Sequence, residues 1–391
     1  MRLPRFKDIA NRSTPLGKAL IAIAIRGEAS AADLVADTGM SRSSVSGILA
    51  ELRGSGAVLD VDAQRGIGRP TLVHALNPAL GVFAGVLLGL GEIRVILCDA
   101  AREVLAHEHI LLNVGYTPDE GAAITAEVLT RMCAGLNIVT TDLVGTGLAV
   151  SAPISPEGTV LYGGIFPSWN GVAIGAIFAQ VLGCPIHVDN ESHCGALYEM
   201  SWGAARGESD FVMFKFDLGT GGAIVIDGKI RRGANGFGGE LGHLTIDTRG
   251  MLCLCGNRGC LDTFTGGHML LAEAARTLGH PISLPDFVAE ARSGHLGHRR
   301  LIEAAGEYAG IGLGMLGSSL NPPMFLITGG LALAGELFLA PMRASYERHT
   351  LCRPSQLPES QKTRFVTGTS PATDNVLGAV ALVLRQEGRV S

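Results

Sequence analysis

The sequence predicts an α/β protein carrying an amino-terminal winged helix-turn-helix. Three observations predict it. Residues 1–78 hold two helical stretches joined by Thr38-Gly39-Met40, then a hairpin with a basic tip. From Val82 onward, apolar strand-like runs alternate with helical ones. In the second half, one histidine and three cysteines fall at metal-ligand spacing.

The head starts with a helix over Leu16–Ile25, where Thr14 supplies the N-cap and Pro15 the first helical position. Ser30 and Asp33 form a capping-box variant that opens a second helix bearing Leu34 and Val35 on one face. Gly39 suits the left-handed position that ends it. Ser41 caps a third helix, Arg42–Arg53, whose Val45, Ile48, Leu49 and Leu52 point inward. That leaves Ser41, Arg42, Ser43 and Ser44 exposed at its start, where a recognition helix meets base edges and phosphates. Ala57–Val61 and Thr71–Leu76 predict a hairpin, and its tip Gln64–Pro70 is a flexible basic wing. Arg69 would enter a minor groove and Arg65 would meet a phosphate. A helical protein-interaction module is the rival reading of these 78 residues.

Asn77-Pro78 marks the boundary to a body over 79–391. Strands at Val82–Leu88, Arg94–Cys98 and Leu143–Val150 flank a helix near Pro118–Gly135. The 391 residues carry a net charge of −5, distributed unevenly. Residues 1–78 hold 10 Lys+Arg against 7 Asp+Glu, while the rest is acidic. A basic head fits nucleic acid and an acidic body fits a neutral or small ligand, although the asymmetry is also within ordinary surface chemistry. No apolar run reaches the ~18–20 residues that span a bilayer. Nor does an apolar core of signal-peptide length follow Met1–Asn11, so a cytoplasmic protein without membrane contact is expected.

Eight cysteines without an export signal do not make a disulfide framework. Cys98, Cys133, Cys184, Cys194 and Cys352 are scattered and suit a core. His243, Cys253, Cys255 and Cys260 are different: three thiols and an imidazole complete a tetrahedral shell for a structural zinc ion. A redox set of thiols is the competing reading. Gly250, Gly256 and Gly259 permit the tight wrap.

The stretch Ala234-Asn-Gly-Phe-Gly-Gly-Glu-Leu-Gly-His243, running into Cys253-Leu-Cys-Gly-Asn-Arg-Gly-Cys-Leu-Asp262, resembles the signature of the ROK family of repressors and sugar kinases. The resemblance covers nearly the whole chain. It implies a two-lobed actin-like ATPase (sugar-kinase-like) fold with a sugar cleft between lobes. Lobe one would span about 79–188 plus a C-terminal helix at about 374–391, and lobe two about 189–373. The resemblance further implies that Glu240 and His243 contact sugar, His243 also ligating zinc, and that Asp262, one methylene shorter than the usual Glu, stands at a third contact. Trp169 matches a sugar-side loop, and Asn190 matches within Val188-Asp-Asn-Glu-Ser-His193. Glu191 occupies the family's general-base position, normally Asp, where base geometry is exacting.

Three glycine loops separate kinase from regulator. The first, Val86–Ile93, has Leu87 for an Asp, Gly91 for a Thr, and an added Glu92, against the charge neutralisation that phosphoryl transfer needs. The second, Leu218–Ala223, is intact but leads into a strand, and the third is Ile327–Gly330. The two surviving loops are ascribed to hairpin sterics. The expected protein is a sugar-responsive repressor of carbohydrate-metabolism genes with no catalytic residues. Its partners would be operator DNA and a sugar or sugar phosphate, its assembly a homodimer or dimer of dimers. An ATP-dependent sugar kinase with a DNA-binding head is the alternative.

Overall fold

The computed structural model describes residues 3–63, 71–162, 167–351, 353–369, 374–385 and 389–390. Arg65, Arg69 and Cys352 therefore lie outside the described residues. The chain forms two compact units. Met1–Trp202 with Asn375–Ser391 makes the first, and Gly203–Asp374 the second.

In the first unit the head runs α1 (Phe6–Ile9), α2 (Pro15–Arg26), β1 (Glu28–Ala29), α3 (Ala31–Thr38), α4 (Arg42–Gly54), β2 (Val58–Ala63) and β3 (Thr71–Leu76). The caps are those that the sequence predicts. Thr14 accepts from the Gly17 amide at 3.0 Å, and Ser30 and Asp33 form a reciprocal capping box. Gly39 is left-handed at φ 69°, and Ser41 accepts from the Ser44 amide at 3.1 Å. The strands form a small sheet in the order β1-β3-β2.

The body of this unit follows with β4 (Val82–Gly89), β5 (Glu92–Asp99), β6 (Val104–Leu111), α5 (Pro118–Gly135), β7 (Thr146–Val150), α6 (Ile174–Leu182), β8 (Ile186–Asn190) and α7 (Glu191–Ser201). The second unit contains β9 (Phe211–Phe216), β10 (Thr220–Ile226), β11 (Lys229–Ile230), α8 (Asp262–Thr265), α9 (Gly267–Leu278), α10 (Leu284–Arg292), α11 (Leu296–Leu320), β12 (Met324–Thr328), α12 (Glu336–His349) and β13 (Arg364–Thr367). The chain returns to the first unit through α13 (Asp374–Leu384) and β14 (Arg389–Val390).

The two main sheets share one plan. Strands β6-β5-β4-β7-β8, edged by β14, form one, and β11-β10-β9-β12-β13 the other. Each is a three-strand antiparallel meander extended by two parallel strands. Each encloses its own core. In the first, Val86, Leu148, Val150, Phe178 and Val188 are buried, and in the second Phe214, Phe216, Phe287, Phe325 and Phe338. Helices α11 and α12 pack closely because Gly310 brings no side chain to the interface. A Cβ there would stand 2.5 Å from the Ser345 Cβ.

The unit boundary corrects one expectation. Helix α7 belongs with the first unit, so the division falls after Trp202 and not at 188/189. The cause is non-local packing. Arg385, just past α13, donates to the Ser201 hydroxyl at 3.3 and 3.2 Å, and Gly378 of α13 backs onto the Cys194 carbonyl.

Candidate functional site

The head presents its polar groups at the start of α4. Ser41, Arg42, Ser43 and Ser44 are all exposed, whereas Val45, Leu49 and Leu52 are buried beneath them. The Ser41 hydroxyl lies 2.9 Å from those of Ser43 and Ser44, so these side chains form one hydrogen-bonded cluster around the helix N-terminus. That end carries unpaired amides and a partial positive charge, an anion-favouring surface.

On the first unit, Asn190 ends β8 and caps α7. Its Oδ1 accepts from the Ser192 amide at 2.7 Å and its Nδ2 donates to the Ala152 carbonyl at 3.1 Å. Among the described residues, one amide hydrogen and one lone pair of this side chain carry no further partner. Glu191 follows at the first position of α7 and is partly exposed. Sequence reasoning missed the pair beneath. Buried Asp189 accepts from its neighbour's amide at 2.8 Å and faces His193 Nδ1 at 2.9 Å, which stiffens the strand-to-helix corner. The i, i+4 spacing of an Asp and a His across a strand end was the available signal.

Trp169 departs from its expected role. It is 0% exposed, its Nε1 donates to the Tyr116 carbonyl at 2.8 Å, and its ring stands edge-on to Tyr116. The indole is part of the core and is turned to Tyr116 instead of to an open wall. The first glycine loop is a tight hairpin in which Gly89 pairs with Glu92 and Gly91 takes φ 73°. Leu87 is buried, and Glu92 holds Arg94 at 3.0 Å and His109 at 2.6 Å.

On the second unit, Glu240 precedes and His243 ends a short helical turn begun by buried Leu241, and both are partly exposed. Burial lowers the His243 imidazole below its ordinary range, against a smaller upward pull from Asp262, which leaves the ring neutral with a lone pair to give. The cysteine loop folds back beside it. The Cys253 amide donates to the Asn257 carbonyl at 2.8 Å, and Gly256 and Gly259 turn at φ 88° and 60°. The four donor atoms of His243, Cys253, Cys255 and Cys260 lie within 4.8 Å of one another. Cys253 Sγ is 3.6 Å from His243 Nδ1, and Cys255 Sγ is 3.6 Å from Cys260 Sγ. A tetrahedron with metal–sulfur bonds of about 2.3 Å has edges of about 3.8 Å, so the donors fit a tetrahedral dication. Without one, burial and the neighbouring thiols push Cys260 up to about 12 and raise Cys253.

Asp262 follows this loop, but its carboxylate is engaged locally. Oδ1 accepts from the Thr220 amide at 2.7 Å, and the Thr220 hydroxyl meets that of Thr265 at 2.7 Å. The second glycine loop is thereby clamped as the β9–β10 turn, with Gly221 and Gly222 already inside β10. A Cβ on Gly222 would stand 2.5 Å from the Leu241 Cδ1, so sterics alone require this glycine.

Two units with one shared strand order, a cysteine–histidine loop and a glycine hairpin define a sugar-kinase-like α/β fold. The ROK family model matches residues 83–386, and the chain belongs to that family. It is 29% identical over 322 residues to a xylose repressor of Caldicellulosiruptor bescii, covering 78% of this chain and 80% of that one. It is 28% identical to a glucokinase of Halalkalibacterium halodurans, covering 78% of this chain and 96% of that one. The crystal structure of a ROK family transcriptional regulator, 23% identical, superposes with a TM-score of 0.72 over 94% of this chain and 96% of its own. Among the described residues no helix is long and apolar enough to cross a membrane.

Proposed function

We propose that this chain is a sugar-responsive, DNA-binding regulator, a repressor of carbohydrate-metabolism genes, whose body has lost kinase chemistry. The observation that carries the reading is the head. A helix, a glycine turn, a Ser/Arg-tipped helix and a hairpin precede the ROK body, whereas the glucokinase relative is almost wholly matched by 78% of this chain. A regulator fold, by contrast, is matched over 94% of it.

The start of α4 would read base edges, and Arg65 and Arg69 would follow a groove and the backbone. Asn190, Glu191, Glu240 and His243 would hold sugar hydroxyls. His243, Cys253, Cys255 and Cys260 would hold a structural zinc ion, whose chemistry is to fix the loop and the imidazole together. With Nδ1 directed at Cys253, the His243 Nε2 is the nitrogen able to meet a sugar. Asp262 acts as the clamp of the glycine hairpin, one step removed from ligand. A homodimer or dimer of dimers would present two recognition helices to two half-sites.

The glucokinase relative favours a second reading, an active kinase bearing a head. Leu87 and Gly91 oppose it, because a buried leucine and a glycine stand where the resemblance places the Asp and Thr that organise metal and phosphate, and the Glu92 carboxylate beside them is held by Arg94 and His109. A coupled assay with ATP across common hexoses, pentoses and amino sugars separates the two. The regulator reading expects no turnover, and turnover above the background of a Glu191→Ala variant would replace it by the kinase reading.

A further inference from the structure

A second cluster of ligating side chains stands at the α10–α11 corner of the second unit, away in sequence from the cysteine loop. Glu290, His295 and His298 each place one ligand atom within 4.8 Å of the others. The corner builds this cluster by itself. The His295 amide donates to the Glu290 carbonyl at 3.0 Å and the Gly294 amide to Ala291 at 3.1 Å, with Gly294 at φ 108°. His295 Nδ1 accepts from the His298 amide at 3.2 Å and caps α11, which places the proton of the neutral ring on Nε2, so either nitrogen would bind an ion only by giving up this cap.

His298 is the independent observation. It is 2% exposed, and neither ring nitrogen finds a hydrogen bond among the described residues. Its ring is held between Phe287, at 4.8 Å, and His295, at 3.8 Å, while a Glu290 oxygen stands 3.2 Å from Nδ1. A buried imidazole whose nitrogens make no aligned hydrogen bond, with one carboxylate oxygen beside it, keeps donor capacity for an ion. Removal from water favours its neutral form, the form that ligates.

We propose that Glu290, His295 and His298 form a second metal site, for a divalent transition ion bound by two imidazoles and one carboxylate with its remaining positions open to water. This donor set suits borderline ions such as Ni²⁺, Cu²⁺ and Zn²⁺, and lacks the oxygen count that Ca²⁺ and Mg²⁺ demand. Glu290 and His295 are exposed, so the ion has an entry path; the His295 and His298 rings are stacked 3.8 Å apart and 28° from parallel, so binding would require His295 to turn out of that stack. Occupancy ties the end of α10 to the start of α11 and stabilises the folded unit by mass action.

The test is calorimetric titration of Ni²⁺ into tag-free, full-length, zinc-replete protein, with Glu290→Gln and His295→Asn in parallel. His295→Asn keeps a cap acceptor for α11 while removing the imidazole. Wild type is expected to bind one Ni²⁺ that both variants bind at least on the order of 100-fold more weakly, beyond what loss of a supporting group costs. Zinc content and the nickel-free unfolding midpoint should not change. Wild type taking up no nickel, or either variant binding it as tightly as wild type, overturns the proposal.

Discussion

The Phe6 ring stands edge-on to Phe83, with centroids 5.1 Å apart and both side chains buried. Phe6 lies in the first helix of the head and Phe83 in the first strand of the body, so one aromatic contact joins them. The connection between them is equally fixed. Asn77 donates to the Gly56 carbonyl at 2.9 Å and accepts from the Ala79 amide at 3.0 Å. Arg5 faces Asp142 at 3.7 Å, an exposed pair of small energetic weight beside the buried rings. A head held this way follows its body instead of trailing on a slack linker.

Phe6→Ala is expected to destabilise the first unit by about 3 kcal/mol, the usual cost of deleting a buried phenyl ring. Denaturant unfolding followed by far-UV circular dichroism measures it. A loss under about 1 kcal/mol would show that the head is not anchored here.

Purified protein is expected to carry one zinc ion at His243, Cys253, Cys255 and Cys260 by elemental analysis. Cys260 and Cys253 hold their protons strongly without metal, and His243 is already neutral. Zinc binding therefore releases protons from thiols and none from the imidazole, and zinc affinity falls as pH falls. Cys255→Ser should lose the ion, part of the stability and the sugar response together. Substoichiometric zinc in protein purified without chelators would contradict the assignment.

What was legible in the sequence was local. The Thr14, Ser30 and Ser41 caps, the Gly39 turn and the Cys253–Cys260 loop each depend on residues within a few positions of one another. What was not legible depended on long-range partners. Trp169 is buried by Tyr116, 53 positions away, and Asp262 is drawn off by Thr220, 42 positions away. Helix α7 joins the first unit through residues near the carboxyl terminus. The Glu290–His298 corner was not read from the sequence, because the burial of His298 beside Phe287 is what distinguishes it from ordinary surface polar residues.

Asp262→Ala strands the Thr220 amide in a partly buried turn and is expected to cost about 1–3 kcal/mol. Asp262→Asn keeps an acceptor and should cost less. Thermal unfolding of the pair checks this, and equal stability of Asp262→Ala and wild type would remove the clamp from the account.

Arg42→Ala and Arg69→Ala should each weaken operator binding in gel-shift titrations. Loss of a bidentate base contact costs about 1–3 kcal/mol, so Arg42→Ala should relax sequence preference as well as affinity. Arg69→Ala should lose most on AT-rich flanks. Unchanged affinity in both would move the recognition surface elsewhere.

The central claim is that the body senses sugar and passes the result to the head. A ligand shifts the regulator between states only by its differential affinity for them. The direct measurement is fluorescence anisotropy of a genomic operator fragment, with and without the sugar giving the largest thermal shift in a library of pentoses and hexoses. Wild-type operator affinity is predicted to change about 5- to 150-fold, the range of ordinary allosteric coupling. Glu240→Ala should bind the sugar-free operator as wild type does and show no sugar-dependent change. A Glu240→Ala protein that responds as fully as wild type would contradict the account.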